Sequence, residues 1–260
     1  MKRSIVLILY FIGYQLLFGA LSLAVGHFLP DYKFIIIFVG EILSMIAIST
    51  HLILAKDIIP PQPFRLHSSV WALVASLFLI AGLGCWTNYL VEILQLPDIN
   101  EEIIVQMMRH PLGILSIAIL APISEELLFR GAIQPRLIER FNPTIGIIIT
   151  SLIFGIIHGN PIQIPFAFIM ALALGWVAWR TGSLLFSILM HFLNNTSSVI
   201  LFYSFPDETD PTITDLLGTT GGATFALFGV AVTAICIYLI YKLTTRPQAK
   251  TTCCDETNPS

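Results

Sequence analysis

Long apolar stretches alternate with short polar segments along this chain. A helix that crosses the hydrocarbon core of a bilayer needs around 20 apolar residues, and about eight stretches approach or exceed that length. We therefore predict an all-α fold, a polytopic membrane helix bundle of about eight transmembrane helices. The stretches run approximately over residues 4–29, 34–55, 69–94, 111–129, 144–158, 163–179, 184–203 and 222–242.

The fifth and sixth stretches are shorter than the others, and they are joined by His158-Gly159-Asn160-Pro161. Irregular backbone at membrane depth is tolerated only where protein or a water-filled cavity surrounds it. We therefore expect these two helices to end inside the protein rather than at a lipid surface.

Composition supports the membrane assignment. The 260 residues are 56% hydrophobic and 11% charged, whereas roughly a quarter of the residues in soluble domains are charged. A bilayer can cover this much apolar surface, because lipid replaces water around the outer face. The net charge of -3 gives no indication of nucleic-acid binding, and the cysteines have neither zinc-ribbon nor disulfide spacing.

The basic residues predict the orientation, because lysine and arginine concentrate in cytoplasmic loops. If the N-terminus is cytoplasmic, eight crossings leave only Lys33 and Arg109 outside and place both termini in the cytoplasm. We divide the chain into transmembrane helices one to three (1–110), a core of helices four to seven (111–203), an outer loop with the last helix (204–245) and a polar cytoplasmic tail (246–260).

Three clusters of polar residues interrupt the apolar helices, and charged groups are costly there. The first contains Glu125, Glu126 and Arg130, with Pro122 upstream to kink the helix. Glu126 and Arg130 are four residues apart and share a helix face, so they can pair. Glu125 then faces elsewhere and remains available as a general base. Alternatively, the cluster is only the cytoplasmic end of this helix.

The second and third clusters supply histidine and asparagine. Phe154 and His158 are four apart, so the ring can pack under the imidazole, and His191 and Asn195 share another helix face. Each cluster also has a structural interpretation, since helix ends hold histidines and polar side chains join membrane helices. However, counting 1.5 Å per residue places all three clusters at roughly the same depth. We expect them to meet in the inner half to middle of the membrane.

The polar clusters resemble, in order, the three signature motifs of the CPBP intramembrane protease family. This family includes the type II CAAX prenyl endopeptidases and the Abi proteins of bacteriocin processing and self-immunity. The resemblance covers about residues 111–200 and implies a membrane-embedded protease, which we expect in the plasma membrane of a prokaryote. The matching residues are Glu125-Glu126-xxx-Arg130, Phe154-xxx-His158 and His191-xxx-Asn195.

The resemblance also implies roles by position. Glu125 matches the catalytic glutamate, which activates a water molecule together with His158, and His191 and Asn195 match the pair that stabilises the oxyanion. Such a set provides what amide hydrolysis requires, namely a base, an oxyanion stabiliser and a proton donor. Structural support of the site is then expected from Glu126, Arg130 and Phe154.

Metal dependence stays open at this point. One carboxylate and two imidazoles can form a catalytic zinc site, and its ligands here would be Glu125, His158 and His191. The chain has no His-Glu-x-x-His motif, and a zinc mechanism would lack an obvious base because Glu126 is expected to pair with Arg130. We favour glutamate-based chemistry without a cofactor.

Two other classes of function compete with the protease. An ion-coupled transporter also carries intramembrane acids and histidines, but the chain lacks the paired halves that are typical of transporters. An immunity or scaffold protein could keep the fold without catalysis. As partners of a protease we expect the bilayer and a membrane-anchored or membrane-inserted peptide or protein substrate. The oligomeric state stays open.

Overall fold

A computed structural model describes residues 1–59, 69–205 and 212–244, and the polar tail proposed for 246–260 lies outside these ranges. The described residues form helices and contain no strand. The helices, in chain order, are α1 (Lys2–Phe28), α2 (Lys33–Leu54), α3 (Val70–Leu94), α4 (Glu101–Met108), α5 (Pro111–Arg140), α6 (Pro143–Ile157), α7 (Gln163–Thr181), α8 (Leu184–Ser204) and α9 (Ile213–Leu243).

The polytopic helix bundle predicted from hydropathy is confirmed. Within the described ranges, seven helices are long and apolar enough to cross a membrane, and α6 is a shorter apolar helix of 15 residues. The short α6 corresponds to the fifth predicted stretch, 144–158. The turn after α6 packs against protein, because Asn160 is fully buried.

Two predicted boundaries were wrong. Helix α5 does not stop at residue 129 but continues to Arg140, because its last turns are polar yet helical. Helix α9 begins at Ile213 rather than 222, since Thr212 and Asp215 form a capping box ahead of the apolar run. Helix α4 was not predicted, and it is a short helix between α3 and α5. Hydropathy misses all three features because polar residues interrupt or shorten the apolar runs there.

Two hydrophobic cores organise the bundle. The first surrounds the middle of α5 and draws on α1, α2, α6, α7 and α8, with Leu128, Phe129 and Phe154 among its buried side chains. The second joins α3 and α9 to α7 and α8. Helices α3 and α9 approach closely at Gly229, where an added Cβ would lie 2.5 Å from the Cβ of Cys85. Small residues allow such close packing between membrane helices.

Helix α5 departs twice from α-helical geometry. Residues Ser116–Leu120 and Leu127–Ile133 are π-helical, and Glu125 and Glu126 lie in the α-helical segment between them. Single π-helical turns occur frequently at functional sites because they change the direction in which side chains point. The first core holds this irregular helix at the centre of the molecule.

Candidate active site

Glu126 and Arg130 form a buried ion pair on one face of α5. Arg130 Nη1 donates to Glu126 Oε1 at 2.8 Å, and both side chains are 0% exposed. Arg130 Nη2 also donates to the Ala171 carbonyl at 3.2 Å, and the guanidinium stacks 4.6 Å from the Phe154 ring centroid. The pair that the four-residue spacing predicts is therefore present, and it is anchored to α6 and α7.

The same carboxylate orients His191 on α8. His191 Nδ1 lies 3.0 Å from Glu126 Oε1. A carboxylate paired with arginine accepts hydrogen bonds, so Nδ1 carries the hydrogen and donates it. The contact turns Nε2 of His191 in the opposite direction. The sequence did not predict this contact, since spacing along α5 gives no information about α8.

Glu125 faces His191 from the other side. Glu125 Oε2 lies 3.9 Å from His191 Nε2, and the Glu125 side chain is 19% exposed. Within the described part of the chain, Glu125 Oε2 is buried and has no hydrogen-bond partner. A buried polar atom without a partner needs an explanation. The explanation would be that this carboxylate oxygen binds a water molecule or a group of the substrate.

His158 ends α6 and is held by its own helix. His158 Nδ1 donates to the Phe154 carbonyl, with the two atoms 2.8 Å apart, so Nε2 of the neutral ring carries the lone pair. The Phe154 ring centroid lies 4.8 Å from that of His158 and 5.9 Å from that of His191. Phe154 thus contacts both imidazoles and the Arg130 guanidinium, which joins the three predicted clusters.

Asn195 contacts the first π-helical segment of α5. Its Nδ2 donates to the Ile117 carbonyl at 2.9 Å, and its Oδ1 accepts from Asn194 Nδ2 at 3.1 Å. One amide hydrogen of Asn195 is therefore engaged, and the second is available to another acceptor. Asn194, the preceding residue of α8, therefore orients this amide.

A zinc ion has no ready-made site among the described residues. No three His, Cys, Asp or Glu side chains in ranges 1–59, 69–205 and 212–244 are grouped so that they could hold a metal ion. In this conformation Glu125 and His191 approach each other, whereas the ring of His158 is turned towards the Phe154 carbonyl. Zinc binding by Glu125, His158 and His191 stays a prediction.

A third acid, Glu41 on α2, lies near Ser116 and Glu125 of the site. Hydropathy does not show which face of α2 packs against α5, so the sequence assigns this glutamate no place in the site.

The comparison with protein families agrees with the geometry. Residues 108–197 match a family model described as type II CAAX prenyl endopeptidase Rce1-like, and this range includes all three motifs. The resemblance to the CPBP intramembrane proteases is thereby confirmed. Together with the apolar helices, the match supports an integral membrane protein with a CAAX-type, protease-like function. No significant match was found among curated proteins or among solved structures.

Proposed function

We propose that this protein is an intramembrane endopeptidase that hydrolyses a peptide bond of a membrane-associated substrate with an activated water molecule. The observation that carries the proposal is the Glu125 carboxylate, whose buried Oε2 has no hydrogen-bond partner in the described residues and lies 3.9 Å from His191 Nε2. A carboxylate in this position can accept a proton from water. The family match supports a membrane-associated substrate, and we propose a peptide or protein that is anchored in or inserted into the bilayer.

The proposed reaction begins with a water molecule bound by Glu125. Glu125, assisted by Nε2 of His158, takes one proton from the water while the oxygen attacks the carbonyl carbon. The proton is then delivered to the leaving nitrogen as the peptide bond breaks, so the products are an acid and an amine. General acid–base catalysis of this kind contributes about 10²–10⁴ in rate.

The oxyanion needs hydrogen-bond donors near the attacked carbonyl. Protonated His191 can donate through Nε2, since Nδ1 is already committed to Glu126. Its positive charge would sit between two carboxylates, and with Arg130 the four groups would sum to zero. A neutral set is favoured in a low-dielectric interior. The second amide hydrogen of Asn195 provides a further donor.

Glu125→Gln is the direct test. Purified protein in proteoliposomes should cleave a farnesylated peptide that ends in a CAAX sequence, and the variant should lose cleavage, because an amide cannot take a proton from water. Glu102→Gln, the same change at an exposed glutamate of α4, is the matched control. Cleavage by Glu125→Gln at the wild-type rate would contradict the proposed mechanism.

A broader search for substrates uses the same pair of proteins. Membrane proteomes of cells with the native chain and with Glu125→Gln should differ in uncleaved precursors if the protein is a peptidase. An immunity or scaffold protein without catalysis would instead keep its cellular effect in the variant. This comparison separates the two classes even if the farnesylated peptide is not cleaved.

A further inference from the structure

Asn160 is fully buried two residues after His158, and both ends of its amide are engaged by the loop that follows α3. Its Oδ1 accepts from the backbone nitrogen of Ile99 at 3.2 Å, and its Nδ2 donates to Asp98 Oδ1 at 2.7 Å. A backbone N–H only donates and a carboxylate only accepts, so these two partners fix the orientation of the amide.

The loop that holds Asn160 is itself ordered. Asp98 Oδ1 also accepts from the backbone nitrogen of Asn100 at 2.9 Å, which makes a local turn of the kind that aspartate favours. On the other side, the Asn160 carbonyl accepts from the backbone nitrogens of Gln163 and Ile164, at 2.9 and 3.1 Å. Asn160 therefore joins the loop after α3 to the first turn of α7.

The junction at Asn160 constrains the chain immediately after His158. The next residue, Gly159, has a φ of +67°, which glycine adopts without strain. Its backbone nitrogen donates to the Ile156 carbonyl at 3.0 Å, so Gly159 still belongs to the end of α6. Asn160 is the first residue after His158 whose side chain binds another part of the chain. The ring's own hydrogen bond reaches only Phe154, one turn back on the same helix.

We propose that Asn160, held by Asp98 and Ile99, is a positioning residue that sets the place of His158 in the active site. The inference rests on the proposed peptidase function. Asn160 touches neither substrate nor reacting atoms in this proposal; it acts through His158. A misplacement of about 1 Å in a catalytic group can cost about 10²-fold in rate.

The test exchanges the two partners. Asn160→Asp places a second carboxylate against Asp98, whereas Asp98→Asn with Asn160→Asp restores one amide and one carboxylate in reversed order. Asn100→Asp makes the same chemical change in the same loop, at a side chain that makes no capping hydrogen bond. For each protein, kcat and KM are measured on the farnesylated CAAX peptide.

Two measurements do not need activity. One is the pH titration of the His158 ring by NMR, assigned by its loss in His158→Gln. The other is hydrogen exchange of the Gln163 and Ile164 amides. These measurements keep the two proposals separate. A native protein that cleaves no peptide would refute the peptidase function, whereas the titration of the His158 ring would still test the role of Asn160.

We expect the Asn160 variant to change kcat and not KM. Asn160→Asp should lower kcat by about 10²-fold with KM unchanged, and it should shift the His158 titration. The exchanged double variant should recover about tenfold or more, as coupled neighbours do in double-mutant cycles. Asn100→Asp should behave as the native protein.

Two results would overturn the proposal. One is an unchanged kcat and an unchanged His158 titration in Asn160→Asp. The other is a double variant that is no better than Asn160→Asp at normal abundance and normal amide protection. If Asn160→Asp does not accumulate, Asp98→Ala takes its place, since Asp98 is exposed. An Asp98→Ala protein with native kcat and native ring titration would equally overturn it.

Discussion

Glu126 performs two tasks in the site, because one oxygen accepts from both Arg130 and His191. Arg130 keeps this carboxylate charged in a buried place, and the charged carboxylate keeps His191 Nδ1 as a donor. Arg130 therefore affects catalysis indirectly, through Glu126. Glu125 has no such partner in the described residues, so the two neighbouring acids should respond differently to mutation.

Arg130→Ala should reduce stability as well as activity. Removal of one partner from a buried pair leaves an uncompensated charge and costs about 3–5 kcal/mol. Thermal unfolding in detergent and cellular abundance should both fall, whereas Glu125→Gln should lose only cleavage. Arg140→Ala, at an exposed arginine of the same helix, is the control and should unfold as the native protein does. Equal stability losses in Arg130→Ala and Glu125→Gln would contradict this division of roles.

Chelation separates glutamate chemistry from zinc chemistry at the same residues. With glutamate chemistry, cleavage should persist after exhaustive treatment with a strong chelator, and elemental analysis should find well under one zinc per chain. A zinc held by Glu125, His158 and His191 would leave with the chelator, because such ligands form a site only when assembled. Stoichiometric zinc whose removal and return switches cleavage off and on would refute the preference for glutamate, although not the choice of residues.

The sequence predicted residue pairs within one helix better than pairs between helices. The Glu126–Arg130 pair follows from spacing alone, because i,i+4 neighbours share a face. The Glu126–His191 and Asn160–Asp98 contacts depend on how separate helices and loops are rotated and packed. Neither spacing nor hydropathy contains that information, so these contacts could be found only in the structure.

At the scale of elements, α5 is the helix that hydropathy described least well. Its apolar section predicts a crossing, yet its two π-helical segments and its polar last turns depend on contacts with other elements. One such contact comes from the segment after α2. There the backbone nitrogen of Ile59 donates to the Gly131 carbonyl at 2.9 Å, inside the second π-helical segment.

Asp57, two residues before Ile59, adds to the contact between the segment after α2 and α5 by binding two arginines. Arg136 Nη2 donates to Asp57 Oδ1 and Arg136 Nη1 to the Asp57 carbonyl, each at 2.8 Å. Arg3 Nε donates to the same Oδ1 at 2.9 Å. The hydrogen bond from Arg3, supported by the charges of Arg3 and Arg136, holds the pKa of Asp57 below its usual range. Asp57 thus ties α1 and the end of α5 together.

Asp57→Asn should lower thermal stability, and the effect should depend on pH. A lost hydrogen bond to a charged group costs about 1.5–3 kcal/mol. Since the folded pKa is depressed, the stabilisation is complete above the ordinary aspartate value of about 3.9 and is lost as pH falls through the folded pKa. The difference in Tm between native protein and variant should therefore be largest near neutral pH and shrink under acid. Asp31→Asn, at an exposed residue, should show no such difference; a pH-independent gap would contradict the argument.

At the scale of the whole molecule, contacts between helix ends sort the chain into two sides. Arg3 and Arg136 meet Asp57 at one end of their helices, and Arg180 Nε donates to Thr244 Oγ1 at 3.0 Å where α7 and α9 end. The other side contains the Asp98–Asn160 contact and a hydrogen bond at 3.3 Å from the Thr214 nitrogen to Glu92. This grouping of helix ends is the one expected if α6 crosses the membrane together with the seven longer helices, and the eight-crossing topology stays a prediction.

The absolute orientation comes from charge. The ends of α1, α5, α7 and α9 that meet in these contacts are basic, whereas the opposite loops carry Asp98, Glu101 and Glu102. Lysine and arginine are retained on the cytoplasmic side, while acidic residues have little effect on orientation. The side that holds Arg3, Arg136 and Arg180 is therefore predicted to be cytoplasmic, and the turn at Asn160 to face the outside.

Reporter fusions test this orientation directly. A reporter placed after Pro97 should report the outside, and reporters placed after Arg136 and at the C-terminus should report the inside; the further outer position after Pro206 lies beyond the described residues. Because α6 is only 15 residues long, the fusion after Arg136 is the most informative, since it precedes α6 and does not depend on whether α6 crosses completely. An outside signal from that fusion would refute the proposed topology, and it would also place the cluster around Asp57 on the wrong side of the membrane. The control is a fusion after Thr244, which shares its side with Arg180 and must give the same signal as the fusion after Arg136.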